Sequence, residues 1–440
     1  MSKVISNSKE GLQIYKWAKQ IFKFNRSLTG SGTVETLNFI KKKIPNFQIK
    51  KIKSGTKVYD WTIPSEWNVK KAYIEDLKGN KLIDFNDNNL HLVGYSTPIN
   101  KIIQFKDLKK RLHTIKKMPN AIPYRFSYYT KDWGFCLQHN KLKKFKDKKY
   151  RVVIDSSLKK GNMYYGDILI KGKSSKEILL STYICHPSMG NNEVSGPVLL
   201  TRLAKYLLSI KNLHYSYRLI FVPETIGAIT YINKNYKILK KNVVAGYIVS
   251  CVGDNNAYSY LETKEKNSLS DKIAKTAFKL KNLTFKNYSF LQRGSDERQF
   301  NSPGVNLNIG SIMRTRHGAY KEYHTSLDNL DFISPSGFQG AYDIYTYVFD
   351  LLEKNRVYKN LIIGEPFLTK YKLRSDTIGT ASGPLETGYN KSFQNISNIC
   401  AYLDGNIDLI DLSKLLSLNF YEVVKIIKIL KHNKIIKMIS

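Results

Sequence analysis

The sequence predicts an α/β protein with a mostly parallel mixed sheet that is covered by helices. Between residues 151 and 354, apolar strand-like runs alternate with helical patterns, and this alternation is typical of a parallel sheet. A second observation is size, because 440 residues give room for two or three domains and a core large enough for an enzyme. The pattern predicts strands near 151–154, 166–171, 178–184, 217–222 and 244–251, and helices near 197–209, 226–239, 268–280 and 337–353.

The residues before this region predict a helical start and an inserted module. Residues 8–44 show two helical patterns on either side of the polar loop 25–32. Residues 46–150 change character, because short strand-like pieces there lie between turn signals. We therefore expect an aminoterminal and central α/β domain from residues 1–45 and 151–355, with an inserted β-rich domain at 46–150.

Residues 366–440 predict a linker followed by a small C-terminal domain. Two helical patterns flank Ser417–Asn419, and a short strand follows at 434–439, which is the outline of a helix-turn-helix. The second helix carries Lys425, Lys428 and Lys431 as its lysines. Because three lysines are few for a DNA-recognition helix, a role of this domain in packing or oligomerisation is as consistent with the sequence as DNA binding.

The composition argues against several classes of protein. The 71 Lys and Arg against 35 Asp and Glu give a net charge of +36, but the basic residues are scattered, which favours a biased composition over a nucleic-acid surface. Four widely spaced cysteines do not form a disulfide framework. No apolar stretch reaches the ~18–20 residues of a bilayer span, and the N-terminus lacks a signal-peptide core. We therefore expect a cytoplasmic protein with no membrane partner, and nucleic-acid binding is the less favoured interpretation of the charge.

The most informative segment is 178–196, where a buried strand ends in His186. A polar turn with Asn192 and Glu193 follows, and a helical pattern begins after it. Ligands of open α/β sheets bind beyond the carboxyl ends of the strands. The pattern therefore favours a metal or catalytic site, although a histidine at such a position can also be structural.

Two later segments add candidate groups. Glu224 follows the apolar strand 218–222, where a carboxylate can serve as a general base, or merely favour the start of a helix. The loop 314–328 collects His317, Glu322 and His324, and such groups suit Zn²⁺ although their spacing matches no strict zinc motif.

With these residues in view, the chain resembles the bacterial family of aminopeptidase-like proteins linked to polysaccharide biosynthesis. The resemblance implies a zinc-peptidase fold of the M28 type, interrupted by an inserted β-rich domain and finished by a winged helix. The motifs that carry it are NRSLTG at 25–30, SGTKVYDWTIPSEW at 54–67, YSTPIN at 95–100, WGFCLQHN at 133–140, CHPSMGNNEVSGP at 185–197, FVPETIG at 221–227, CVGD at 251–254, RGSDERQF at 293–300 and EYHTSLDNLD at 322–331.

The resemblance also implies a reduced set of metal ligands. In M28 peptidases an HxD pair supplies a ligand and its orienting acid, and here Ser188 stands where that acid is expected. Asn192 occupies the place of the bridging Asp, Thr225 that of a ligand Glu, and Ser250 that of a later Asp. The last His ligand matches His324.

From this resemblance we expect one zinc ion rather than two. His186 and His324 would hold it, with Glu193 or Asn192 as a third ligand, and Glu224 would be the general base. Further candidates are reserve ligands, supporting acids or substrate-binding groups: Asp296, Glu322, Arg293, Arg314 and His317. A helix N-cap is the plain alternative for Asp296, and surface charge is the plain alternative for the two arginines.

These expectations support three hypotheses. The first is a metal-dependent amidohydrolase that acts on a small-molecule, sugar or peptide substrate, as part of surface polysaccharide biosynthesis. The second is a binding or scaffold protein with a degenerate peptidase pocket, since acids are missing at 188, 192, 225 and 250. The third is a DNA-binding regulator that acts through residues 396–440. A homo-oligomer is left open.

Overall fold

The computed structural model describes residues 9–373 and 391–439. The chain divides into two compact units, one up to Tyr347 and one from Val348 onward. The strands are β1 Gln48–Lys53, β2 Lys57–Val58, β3 Trp61–Thr62, β4 Glu66–Glu75, β5 Lys81–Asp84, β6 Ile99–Gln104, β7 Leu112–His113, β8 Phe135–Cys136, β9 Lys149–Lys159, β10 Asn162–Ile170, β11 Glu177–Tyr183, β12 Ser216–Val222, β13 Val243–Ile248, β14 Ser259–Leu261, β15 Lys286–Tyr288, β16 Ile309–Met313, β17 Val357–Asn360, β18 Asp404–Asp408 and β19 Ile436–Met438. The α-helices are α1 Lys9–Ile21, α2 Ser31–Lys41, α3 Phe105–Leu108, α4 Ser195–Ser209, α5 Ile226–Asn242, α6 Leu269–Leu280, α7 Glu297–Phe300, α8 Pro335–Lys354, α9 Lys391–Ala401, α10 Leu409–Leu415 and α11 Phe420–His432.

The first unit is built on an eight-stranded mixed sheet in the order β1-β10-β12-β11-β13-β16-β14-β15. The centre is parallel from β12 through β11 and β13 to β16. The strands β10 and β1 add to one side in antiparallel orientation. All residues of β11 and β12 are buried, as expected for central strands with helices on both faces. The α/β prediction is confirmed.

The helices α4 and α5 follow β11 and β12 and provide the crossovers of the parallel centre. The apolar side chains of α5, among them Ala228, Tyr231 and Ile232, pack in one core cluster with Leu179 of β11 and Ile220 of β12. This packing fixes the ends of β11 and β12 relative to each other. Two loops therefore leave the same edge of the sheet side by side.

The inserted module contains a four-stranded antiparallel sheet in the order β5-β4-β9-β6. The strand predicted at 151–154 lies in β9 of this sheet rather than in the main sheet. Conversely β1, which the sequence placed in the insertion, pairs with β10 in the main sheet. Strand pairing thus puts both boundaries of the module several residues away from 46 and 150, because local patterning shows a strand but not its partner.

The second unit combines helices with a three-stranded sheet in the order β18-β17-β19. The helices α10 and α11 are present where the sequence predicts two helices, and β19 follows them. The sheet also takes in β17, at Val357–Asn360, which lies before the predicted domain. The winged helix stays a prediction, and residues 374–390 and 440 of that domain lie outside the described residues.

Within residues 9–373 and 391–439, no helix combines the length and the apolar character that crossing a bilayer requires.

Candidate active site

The strands β11 and β12 bring His186 and Glu224 together. Their last residues, Tyr183 and Val222, are paired in the parallel ladder. His186 follows β11 by three positions and Glu224 follows β12 by two, so both side chains leave the carboxyl edge of the sheet. The Nε2 atom of His186 lies 3.5 Å from Oε2 of Glu224. The sequence predicted this pairing of a histidine and a carboxylate at neighbouring strand ends.

The other ring nitrogen of His186 is held by Glu193. Nδ1 of His186 and Oε2 of Glu193 are 2.6 Å apart, and both side chains are buried. Glu193 lies on a π-helical turn, Gly190–Val194, that precedes α4. Ser188 stands where the resemblance implies the orienting acid, and in this structure the carboxylate that contacts His186 belongs to Glu193, seven residues after the histidine.

This contact decides which face of His186 is available. With Nδ1 bound to Glu193, Nε2 is the nitrogen that faces Glu224. Burial disfavours the imidazolium, yet the carboxylates of Glu193 and Glu224 raise the pKa of His186 above its usual value. Burial also raises the pKa of Glu193. A role of Glu193 as a metal ligand stays a prediction, and its Oε2 atom is already engaged.

A buried arginine, Arg26, contacts the backbone of His186 and lies close to Glu193. Nε of Arg26 donates to the carbonyl oxygen of His186 over 3.0 Å and lies 3.9 Å from Oε1 of Glu193. Arg26 belongs to the polar loop between the first two helices and is 1% exposed. The sequence pattern did not predict this role for Arg26. Its place in the motif NRSLTG was the available signal.

Asn192, the second alternative for a third ligand, is anchored in the scaffold. Its Oδ1 accepts a hydrogen bond from the hydroxyl of Tyr183 over 3.1 Å. Its backbone N–H donates to Asp328 over 3.0 Å, as does that of Asn191 over 2.6 Å. Burial raises the pKa of Asp328 to about 6. Asp328 thus fixes the π-helical turn, a role that the sequence pattern did not show.

His324 joins His186 from the far end of the unit. The centroids of the two imidazole rings are 5.7 Å apart, and the ring of Tyr124 lies 5.1 Å from His186 and 5.2 Å from His324. Tyr323 stacks on His324 at 3.9 Å. Burial, together with His186 and His317, lowers the pKa of His324 to about 3. The neutral ring keeps a lone pair for a ligand or a hydrogen bond.

Glu224 is oriented by its neighbours. The hydroxyl of Ser295 donates to its Oε1 over 2.8 Å, and its backbone N–H donates to Sγ of Cys185 over 3.2 Å. This leaves Oε2 on the side of His186. Next to it, Asp296 accepts the N–H of Thr225 over 2.7 Å. Burial and the charge of Glu224 hold the pKa of Asp296 well above its usual range.

The structure does not place all the predicted residues at this site. Arg314 is buried, donates to the carbonyl oxygen of Asp254 and stacks on Tyr258 at 3.9 Å, so it is part of the scaffold and is not a substrate-binding surface charge. His317 lies 3.7 Å from the buried Glu297. Of the predicted site residues, His324 lines the cavity that contains His186 and Glu224, whereas the following do not: Asn192, Glu193, Arg293, Asp296, Arg314, His317 and Glu322.

That cavity has a volume of about 460 Å³. The inserted module supplies an aromatic wall with Trp61, Phe126 and Tyr129, and these three rings are 39% to 56% exposed. Arg298 also lines the cavity, and the sequence pattern did not point to it. The polar groups His186, Glu224 and His324 share this apolar and aromatic chamber, which is the usual composition of a small-molecule site.

The side chains that could act as metal ligands decide whether a metal ion can bind at this site. Among the described residues, Cys185, His186 and Glu193 form a group whose ligand atoms lie within 4.8 Å of one another, so a group able to hold a metal exists. Two of these residues already contact each other, through Nδ1 of His186 and Oε2 of Glu193. His186 and His324 also line the cavity with ring nitrogens, a ligand type of zinc, and Glu224 adds a carboxylate oxygen. In the described part of the chain, these three residues do not form a further group with ligand atoms within 4.8 Å of one another. Asn192, Thr225 and Ser250, where the resemblance implies acids, have no carboxylate.

Comparison with known proteins places the chain in a family. Residues 15–355 match a family described as a domain of unknown function, DUF4910. The chain belongs to this family. A relative from Clostridium acetobutylicum, 45% identical over 82% of each chain, carries the name of a polysaccharide biosynthesis protein with an aminopeptidase-like domain. The family suggested by the sequence motifs is thereby confirmed.

Solved structures agree with this membership. A crystal structure from Clostridium acetobutylicum, described as that of a peptidase, is 40% identical and has a TM-score of 0.89, covering 98% of this chain and 97% of its own. A zinc aminopeptidase from Bacillus subtilis has a TM-score of 0.57 at 12% identity, covering 79% of this chain and 95% of its own. An M28 peptidase precursor from Shewanella amazonensis has a TM-score of 0.55 at 12% identity, covering 79% and 96%. The fold is that of M28 peptidases.

Proposed function

We propose that this protein is a zinc-assisted amide hydrolase with Glu224 as its general base. The observation that carries the proposal is the approach of Oε2 of Glu224 to Nε2 of His186, 3.5 Å, within a cavity of about 460 Å³. A carboxylate that is held by a neighbouring hydroxyl and faces a partly apolar chamber is well placed to accept a proton from water.

Each polar side chain has a distinct task in this proposal. Ser295 binds Oε1 of Glu224 and so aims Oε2 at the chamber. Glu193 fixes the ring orientation of His186. His186 and His324 would hold the ion, which when bound polarises a carbonyl group and lowers the pKa of its water. Glu224 takes the proton from the attacking water and delivers it to the leaving nitrogen.

The substrate that we propose is an amide on a sugar or a short peptide. Exposed aromatic rings at the cavity, Trp61 and Tyr129, offer flat apolar faces of the kind on which sugar rings and peptide side chains pack. The name of the Clostridium acetobutylicum relative supports a place in polysaccharide biosynthesis. The cytoplasmic location and the homo-oligomer stay predictions.

The experiment is a comparison of the purified protein with Glu224→Gln on amino-acyl p-nitroanilides and N-acetylated amino sugars. We expect release of amine or acetate by the parent chain and a loss of at least about 100-fold in the variant, because the carboxamide cannot take up the proton. The zinc content should not change. Equal turnover by the two proteins would remove Glu224 from the mechanism.

A binding or scaffold protein is the second candidate. It is favoured by the uncharged residues Asn192, Thr225 and Ser250 at positions where a two-zinc peptidase has acids. This candidate predicts that the parent chain hydrolyses none of the amides and contains no zinc after purification from zinc-supplemented cultures.

A further inference from the structure

A second cavity adjoins the catalytic one and has a different character. Its volume is about 530 Å³, and its lining includes Lys264, Lys266, Arg293 and Arg298. No Asp or Glu is among its lining residues. Arg298 also lines the catalytic cavity, so the two spaces share a guanidinium group.

The four cations come from three segments of the chain. Lys264 and Lys266 lie in the loop between β14 and α6, Arg293 lies between β15 and α7, and Arg298 lies on α7 itself. Arg298 is held by two hydrogen bonds, from Nε to the carbonyl oxygen of Ser295 over 3.1 Å and from Nη2 to the hydroxyl of Thr225 over 3.0 Å. Thr225 directly follows Glu224, so this guanidinium is fixed beside the proposed general base.

These cations lack acidic partners. Within the described part of the chain, none of the four has a carboxylate oxygen at 4.0 Å or less from its nitrogen atoms. The acids nearby make their hydrogen bonds to other groups. Glu265, between the two lysines, accepts hydrogen bonds from Asn306 and Asn308, and Glu262 binds Lys275. Asp296 accepts the N–H of Thr225, although the charge of Arg298 also acts on it.

Most lysines and arginines of the described residues also have no carboxylate at this distance, and what distinguishes these four is that they line one cavity with no acid in its lining. Elsewhere in the same unit, some surface lysines do form ion pairs. Lys81 pairs with Asp84 and Lys110 with Asp107. Four positive charges that line one cavity, with no acid in its lining, create a local positive potential that favours an anion.

We propose that this basic cavity binds a phosphate group of the substrate. Two lysine ammonium groups and two guanidinium groups suit a multiply charged, tetrahedral anion better than a single carboxylate, because Arg can bind two phosphate oxygens and Lys adds point charge. With Arg298 bridging the two cavities, the substrate would place its phosphate there and its amide near Glu224. The assignment of the phosphate to the substrate rests on the proposed hydrolase function, whereas the phosphate site does not.

The test is isothermal titration calorimetry of the full-length protein with inorganic pyrophosphate, and with acetate at equal ionic strength. The variant Lys264→Gln/Lys266→Gln removes two charges from the cavity. The control Lys144→Gln/Lys146→Gln removes two exposed charges with the same spacing from the inserted module. We expect pyrophosphate binding by the parent chain, at least about tenfold weaker binding by the first variant and a change of less than about twofold in the control.

Three outcomes would overturn the proposal: no pyrophosphate binding by the parent chain, equal weakening in both double variants, or acetate binding as tight as pyrophosphate binding. The calorimetric titration measures anion binding independently of amide hydrolysis, so failure of this proposal can be distinguished from failure of the proposed function. If the hydrolase function fails, amide turnover is absent while the pyrophosphate titration keeps its dependence on Lys264 and Lys266.

Discussion

At the scale of single residues, the central feature is an imidazole between two carboxylates. His186 contacts Glu193 through Nδ1 and faces Glu224 through Nε2. The HxD pair of M28 peptidases places the orienting acid two residues after the histidine, and here Ser188 occupies that position. Glu193 restores the contact from the following turn. Such outer contacts typically change metal affinity or activity by 10- to 100-fold when they are removed.

We therefore predict different effects for two substitutions near His186. Glu193→Gln should lower amide turnover by about 10- to 100-fold, because the neutral amide no longer holds the ring in one tautomer. Ser188→Ala should change turnover by less than about threefold, since Ser188 makes no contact with the ring of His186. Steady-state kinetics with circular dichroism as a folding control measures both. A loss of turnover in Ser188→Ala that exceeds the loss in Glu193→Gln would contradict the orienting role of Glu193.

At the scale of elements, the π-helical turn Gly190–Val194 positions Asn192 and Glu193. Asp328 secures this turn by accepting two backbone N–H groups and the hydroxyl of Tyr320 over 3.0 Å. The contact joins segments that are more than 130 positions apart along the chain. Buried acceptors of this kind hold a local conformation that helical propensity alone does not favour.

Asp328→Asn is expected to destabilise the first unit by about 1–3 kcal/mol, because one carboxamide oxygen cannot replace two carboxylate oxygens that accept three hydrogen bonds. Asp331→Asn, in the same loop but exposed, is the matched control and should change the free energy of unfolding by less than about 0.5 kcal/mol. Urea denaturation monitors both variants. Equal stabilities would show that the turn does not depend on Asp328.

The elements also show what the sequence could predict. Helices α4, α5 and α8 and strands β11 and β12 were expected close to their observed positions, because each shows strong periodicity or a continuous apolar run. The exchange of β1 and β9 between the two sheets was not expected. Pairing depends on contacts between distant segments, and a strand of alternating residues carries no label for its partner.

The same limit applies to the site. His186, Glu224 and His324 could be predicted as one site, since the first two follow strands and the third matches a motif. The role of Glu193 depends on the shape of a five-residue turn. The role of Arg298 depends on its position in the lining of two cavities. Neither the shape of the turn nor the position of Arg298 produces a pattern in the local sequence.

At the scale of the whole molecule, the net charge of +36 bears on the third hypothesis, a DNA-binding regulator. In the second unit, α11 exposes Lys425, Lys428 and Lys431. A strongly basic protein binds polyanions without specificity at low salt, and this binding weakens steeply as salt rises.

We predict that binding to duplex DNA is weak, non-specific and lost by about 0.2 M NaCl. The triple variant Lys425→Gln/Lys428→Gln/Lys431→Gln should weaken this binding no more than removal of three exposed lysines from the inserted module, for example Lys144, Lys146 and Lys148. Fluorescence anisotropy over a salt series measures both. A loss confined to the α11 variant, or binding that persists at high salt for one duplex, would support the regulator.

The account as a whole depends on one ion shared by His186 and His324. The most direct measurement is elemental analysis of the purified protein beside His186→Gln and His324→Gln, with His214→Gln as a histidine variant outside the cavity. We predict about one zinc ion per chain in the parent protein and in His214→Gln, and a loss of most of it in the other two variants. A parent protein free of zinc, or a zinc content that both site variants retain, would contradict the account.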